Sequence, residues 1–129
     1  MPKRILAVDD DQDILDCISF ILKSEGYEVK GIPSRSKIIK YIVEFKPDLL
    51  ILDINLGKDN GLEICKRLKN NIYTSHIPII IISADPSINL AVNSYQADAI
   101  IEKPFEIENL FGIVNEFLLA KVVPLIRAS

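Results

Sequence analysis

No stretch of this sequence stays apolar for the roughly 18 residues that a membrane-spanning helix needs, so nothing in it reads as a membrane anchor. Positive charge is also scarce: 15 Lys and Arg stand against 18 Asp and Glu, for a net charge of −3 and a pI near 5.1. That sign makes the domain a poor candidate for binding nucleic acid or an anionic membrane by itself. Cysteine occurs only as Cys17 and Cys65, a spacing that matches no metal motif and no disulfide framework. Both fall in helical patterns and are expected to be small, buried apolar residues of a reduced, cytoplasmic protein. A secretory signal is not expected, because Met1-Pro2-Lys3-Arg4-Ile5-Leu6 passes almost at once into a strand-like segment. The single histidine, His76, lies in a polar loop and reads as a surface residue. Internal repeats, low-complexity tracts and linkers are absent.

What is present is ordinary globular material. The 129 residues suit one compact domain, and 49% hydrophobic content is enough for one core. A first strand over 3–9 ends in Asp9-Asp10-Asp11. Ile14, Leu15, Ile18, Ile21 and Leu22 then recur at helical spacing over about 12–25, with Asp11 placed as N-cap and Gly26 as the stop. A short strand (27–32) and a helix carrying Ile38, Ile39, Ile42 and Val43 follow, with a serine of the Pro33-Ser34-Arg35-Ser36 turn placed to cap it. Lys46-Pro47 ends that helix, because the residue before proline disfavours helical torsions.

The rest of the chain is organised around Asp48-Leu49-Leu50-Ile51-Leu52-Asp53. Four consecutive apolar residues suit a strand covered on both faces, as in a parallel sheet. Ligands of such sheets bind beyond the carboxyl ends of the strands. Asp53 is then a carboxylate delivered to a site, or, more plainly, a strand-end residue capping the next turn. Gly57 and Asp59-Asn60-Gly61 mark a loop over 54–60, and Leu62, Cys65 and Leu68 mark a third helix. Ile77 to Ile82 is a second fully apolar strand, followed by a weaker helix near 87–95. Asp98 to Ile101 is a fifth strand, and Ile107, Leu110, Ile113, Val114, Phe117 and Leu118 form a last helix. Five alternations with short connections predict a doubly wound α/β fold: a parallel sheet with helices on both faces. The domain is expected over 1–121, with 122–129 an apolar tail and no output domain in this chain.

Chemistry collects at the strand ends. Strand one supplies Asp9 and Asp10, strand three Asp53, strand four Ser83 and strand five Lys103. Each alone has a bland reading as a cap, a turn residue or a solvated ammonium, but their joint placement does not. Carboxylates held close repel, so some protonate or a cation sits among them. Hard oxygen ligands suit Mg²⁺. Lys103 and Ser83 would hold an anion beside it, and Asp53 is left as a nucleophile able to form an acyl phosphate.

Asp9-Asp10, Asp53 with Gly61 eight residues on, Ser83-Ala84 and Lys103-Pro104-Phe105 together resemble the receiver domain of two-component response regulators, over about residues 3–119. The resemblance implies a flavodoxin-like sheet of order 2-1-3-4-5 with five helices. It implies Asp53 as phosphoacceptor, taking a phosphoryl group from a phosphohistidine on a sensor histidine kinase or histidine phosphotransferase. Mg²⁺ (or Mn²⁺) would be held by Asp9, directly or through water, and by Asp10, Asp53 and the backbone carbonyl of Asn55. Ser83, Ala84 and Lys103 would contact the phosphoryl group, and the peptide bond to Pro104 would be cis. A signal would leave by contact with an unknown downstream protein. The last helix and the tail offer a homodimer surface, although core packing explains most of that stripe.

There are departures. Leu56-Gly57 stands where the family often has Met-Pro, and the glycine leaves this loop less restricted. Ile100 stands at the switch position, where the family usually has Tyr or Phe, so phosphorylation is expected to persist while its conformational report is altered. Asn55 and Asp85 flank the expected path of water to the phosphoryl group and are expected to make it labile. Three rivals stay open. A haloacid-dehalogenase-type phosphatase needs an acid two places after the nucleophile, where Asn55 stands, and room for a cap. A dinucleotide-binding module lacks GxGxxG. A degenerate receiver would act only as a scaffold. The preferred reading is a phosphoacceptor that assists its own chemistry and is not a turnover enzyme.

Overall fold

The computed structural model describes residues 2–119. It contains β1 (Arg4–Val8), α1 (Gln12–Ser24), β2 (Glu28–Ile32), α2 (Ile38–Phe45), β3 (Leu49–Leu52), α3 (Gly61–Lys69), β4 (Ile79–Ser83), α4 (Ala91–Tyr95), β5 (Ala99–Glu102) and α5 (Ile107–Leu118). The five strands pair in parallel in the order β2-β1-β3-β4-β5, which bears out the expected flavodoxin-like topology. The expected domain limit at 121 and the tail 122–129 lie outside the described residues.

The apolar runs explain why β3 and β4 are central. Successive residues of a strand point to opposite faces, and here both faces are dry. Leu49 and Ile51 pack with Leu15, Ile18 and Leu22 of α1 and Leu110 and Val114 of α5. Leu50 and Leu52 pack with Leu62, Cys65 and Leu68 of α3 and Ala91 of α4. Each such side chain stabilises the fold by about 1.5–3 kcal/mol relative to exposure.

Aspartates open two of the strands. Asp48 donates its amide to the Arg4 carbonyl at 2.7 Å and accepts the Arg4 amide on Oδ2 at 2.8 Å. Asp98 does the same to Ile79, at 2.9 and 2.8 Å, and also takes the Lys69 ammonium at 3.0 Å. Both carboxylates stand in for the next rung of the ladder at the amino edge of the sheet.

The Asp11 carboxylate caps α1 through the amides of Asp13 and Ile14, and Gly26 follows that helix at φ 92°. Lys46 ends α2 in the left-handed region. Three expectations need correction. Cys17 is exposed, because it lies on the side of α1 opposite the Leu15–Ile18–Leu22 stripe. The segment 54–60 is not plain loop: Asn55–Leu56 pairs antiparallel with Asp59–Asn60 around Gly57 at φ 66°. No serine caps α2: a 3₁₀ turn (Arg35–Lys37) precedes it, and the Ser34 and Ser36 hydroxyls bond each other at 2.9 Å. The weak fourth helix likewise begins as a 3₁₀ turn, Pro86–Leu90.

Candidate functional site

The ladder runs one residue past the named strand ends and fixes the residues found there. Asp9 donates its amide to Ile32, Asp53 to Val8 and Lys103 to Ser83, at 3.2, 3.0 and 2.9 Å. Three side chains from three strands are therefore held by sheet geometry rather than by loops. Asp9, Asp53 and Ser83 are 1%, 5% and 1% exposed, an unusual degree of burial for two carboxylates.

Lys103 joins them. Its Nζ lies 2.7 Å from Asp9 Oδ2 and 3.3 Å from Asp53 Oδ2, and the peptide bond from Lys103 to Pro104 is cis. The other oxygens are tied locally: Asp9 Oδ1 accepts the Asp11 amide at 2.9 Å and Asp53 Oδ1 the Ile54 amide at 2.7 Å. Burial lifts the Asp9 carboxyl above the usual carboxylate range, with repulsion from Asp53 adding to it, against the pull of Lys103 and the Asp11 amide. Burial is also the largest influence on Lys103 and pushes its ammonium down, but Asp9 and Asp53 together outweigh it and the net shift is upward. The carboxylates keep this lysine charged.

Asp10, exposed, completes a group in which carboxylate oxygens of Asp9, Asp10 and Asp53 lie within 4.8 Å of one another. One ammonium against three carboxylates leaves two negative charges uncompensated. A hard divalent cation matches both that deficit and the all-oxygen donor set, so the residues fit Mg²⁺. The Asn55–Asn60 pairing directs the bond of the neighbouring Ile54 carbonyl to the Gly61 amide, at 2.7 Å. The alternation of antiparallel bonding then leaves the Asn55 carbonyl out of the ladder.

Ser83 Oγ accepts the Asp85 amide at 3.2 Å and keeps its own hydrogen to donate. Asn55 Nδ2 reaches Asp85 Oδ2 at 3.4 Å, and the Ser87 amide and hydroxyl hold the Asp85 carboxyl below the usual range. Ala84 is exposed beside them. Ile100 is half-buried on the α4 side of the sheet and packs with the core cluster that contains Ile81, Ile88 and Ala91. It stands apart from the carboxylate cluster, and so does exposed His76.

One residue matters more than its sequence signal suggested. Gly61 reads locally as a turn residue, but a Cβ there would lie 1.9 Å from the Asp53 carbonyl oxygen. The start of α3 rests directly on the backbone of the central aspartate. The only sequence sign of this is the eight-residue separation from Asp53.

A doubly wound sheet whose carboxyl edge gathers buried aspartates, a hydroxyl and a lysine defines a signalling domain of the CheY-like class. The chain belongs to the response regulator receiver domain family, whose model matches residues 5–115. It is 33% identical over 117 residues to the DNA-binding dual master transcriptional regulator RpaA of Synechocystis sp., covering 89% of this chain and 48% of that protein. It is 31% identical to the DNA-binding response regulator MtrA of Mycolicibacterium smegmatis, covering 89% of this chain and 50% of that one. The chain thus spans about half the length of the curated relatives it matches. Among solved structures, a CheY-like receiver domain protein from Methanospirillum hungatei superposes with a TM-score of 0.82 at 30% identity, covering 90% of this chain and 93% of that one. The domain is therefore a two-component signalling module. Among the described residues, no helix is long and apolar enough to cross a membrane.

Proposed function

We propose that this receiver accepts a phosphoryl group on Asp53 from a phosphohistidine of a sensor histidine kinase or histidine phosphotransferase. The observation that carries this reading is the Lys103 ammonium bridging Asp9 and Asp53, at 2.7 and 3.3 Å, beside a third carboxylate. Asp53 is the acceptor because, of the two carboxylates that Lys103 reaches, it alone ends the central strand β3 and leads directly into the ribbon. As an Asp53 oxygen bonds to phosphorus, the P–N bond to the donor imidazole breaks and its electron pair stays on that nitrogen; the imidazole leaves neutral because its other ring nitrogen carries a proton taken from solvent. Lys103 neutralises the arriving phosphoryl oxygens, while the Ser83 hydroxyl and the Ala84 backbone bind them. Asp9, Asp10, Asp53 and the Asn55 carbonyl would hold Mg²⁺ or Mn²⁺, which supplies charge stabilisation to the same oxygens.

The domain is a phosphoacceptor and not a turnover enzyme. The place an aspartyl phosphatase fills with an acid carries Asn55, whose amide does not titrate and cannot act as general acid or base. The response passes to a downstream protein in the cytoplasm by protein contact, or to a second copy through α5 and the tail, and nucleic acid and membrane are not partners of this domain. Ile100 has no ring to swing and no polar tip, so the report through α4, β5 and α5 is altered while the chemistry at Asp53 stays intact. A phosphorylated-state analogue should give reduced spectral shifts over residues 84–105, and full-sized shifts there would reject the altered report.

The test is acetyl phosphate with Mg²⁺, followed by intact mass and phosphate-affinity gel. Wild type should gain one labile phosphoryl group and Asp53→Asn none; equal labelling of both would overturn the assignment. Asn55 and Asp85 bond each other across the mouth of the site and both can hold water against it. Replacing either by Leu should lengthen the phosphorylated lifetime several-fold in a decay assay, and unchanged lifetimes would reject that role.

A further inference from the structure

We propose that the valley between α2 and α3 docks an acidic amphipathic helix of a partner protein. Four large apolar side chains on α2 and the turn after α3, Ile39, Val43, Ile72 and Tyr73, are 59 to 83% exposed. Ile39 and Val43 stand one turn apart on α2, and each borders its own hollow. The first holds about 190 Å³ between Ile38, Ile39, Ile64 and Leu68, with Arg35 and Arg67 on its walls. The second is larger, about 570 Å³, between Ile42, Val43, Tyr73 and Ile77, with Lys46, Asp48 and His76 at its edge. Tyr73 is presented by a pinned turn: its neighbour Thr74 is buried and donates its hydroxyl to the Leu68 carbonyl at 2.6 Å.

Charge decides what such a valley takes. Residues 35–69 hold eight Lys and Arg against five Asp and Glu, a net +3 in a chain whose total is −3. Of those eight, only Arg35 and Lys69 make ion pairs among the described residues, with Asp59 and Asp98. The one carboxylate at the edge of the second hollow, Asp48, already accepts the Arg4 amide. A positive rim around an aliphatic floor selects an acidic partner and rejects a basic one. Two copies of this face would oppose like charges. The segment 122–129 is apolar, but its single charge is Arg127, which answers none of the rim.

The occupant is a helix because both walls are helices, with no strand edge here for an extended peptide to join. The two hollows take residues one turn apart on α2, about 6 Å along its axis. Apolar anchors at i and i+4 of an incoming helix repeat at the same distance. Asp or Glu beside those anchors then meet Arg35 and Arg67. One helix in one valley makes a small interface, so the contact is transient and weakens as salt screens it.

Fluorescence anisotropy of the whole protein with a labelled, stapled alanine-based helix tests this, the helix carrying Leu at i and i+4 with Glu beside them. The Glu helix should saturate the protein below about 1 mM, at least tenfold tighter than versions with Lys for Glu or Gln for Leu. Its binding should weaken several-fold from about 0.05 M to about 0.5 M salt. Arg67→Glu should weaken the Glu helix roughly tenfold and strengthen the Lys helix, while Val43→Ser and Tyr73→Ser each weaken the Glu helix by about as much. All three side chains are exposed, and circular dichroism verifies the fold of each variant. Amide shifts on binding should fall within 35–46 and 64–77. No binding by about 1 mM, equal binding of the Glu and Lys helices, or shifts centred on another face would each overturn the proposal. So would self-association that Val43→Ser abolishes, or tighter peptide binding on Leu125→Ser, since the valley would then belong to a second copy or to the tail.

Discussion

The two edges of this sheet use the same residue type to opposite ends. At the amino edge, Asp48 and Asp98 accept backbone amides of the neighbouring strand at 2.8 Å each, and Asp98 adds an ion pair with Lys69. Their charge is answered within the fold, and their role is to start strands. At the carboxyl edge, Asp9 and Asp53 are buried, unlike half-buried Asp48 and exposed Asp98, yet share one lysine, and burial lifts the Asp9 carboxyl. That charge is left unanswered for a cation and a phosphoryl group to meet. A carboxylate at a strand end is thus structural or functional according to whether its own fold satisfies it.

Gly61 offers the hardest test of that division, because it lies at the functional edge but acts sterically. Gly61→Ala drives a methyl group against the Asp53 carbonyl, where a Cβ would sit 1.9 Å away. The start of α3 must move, at a cost of about 3 kcal/mol in urea unfolding. Phosphorylation should fall as well, since the displaced backbone is that of the acceptor. A stability loss below about 1 kcal/mol would show that α3 is not braced on Asp53.

A paired substitution compares the edges directly. Asp98→Ala strips the Ile79 amide and the Lys69 ammonium of their carboxylate, and should cost about 2 kcal/mol with labelling of Asp53 retained. Asp9→Asn removes a carboxyl whose charged form burial disfavours. In metal-free solution it should leave the melting temperature unchanged or raise it by roughly 2–5 °C, while Mg²⁺-dependent labelling collapses. If Asp9→Asn destabilises as much as Asp98→Ala, the contrast between the edges fails.

Much of this was legible in the residues. Leu49 to Leu52 and Ile79 to Ile82 are apolar without alternation, which suits a doubly covered strand, so topology and strand-end chemistry followed together. The Asn55–Leu56 ribbon was not legible, because two residues carry no periodicity. Cys17 was misread on residue type, although the Leu15–Ile18–Leu22 stripe already turned it outward along with Phe20. Cys65, on the inward stripe of α3, is buried as expected, and burial pushes its thiol up to about 12. The contact of Gly61 with Asp53 and the strand-opening bonds of Asp48 and Asp98 depend on through-space neighbours that no local pattern encodes.

The smallest effect sharpens the amino edge. Tyr27, just before β2, donates its hydroxyl to Asn115 Oδ1 and so ties that strand to α5. Burial, helped by Glu25, raises its phenol above the usual tyrosine value. A folded pKa above the unfolded one means that the folded state holds this proton more tightly. The stability it contributes is complete below the unfolded value of about 10 and is lost as pH rises through the folded value. Tyr27→Phe should therefore cost about 1 kcal/mol at neutral pH, with the gap to wild type narrowing as pH rises above the unfolded value of about 10. Urea midpoints of both proteins at neutral pH and above that value measure this. A gap that stays constant would mean that the phenol contributes packing alone and that its proton is not part of the tie.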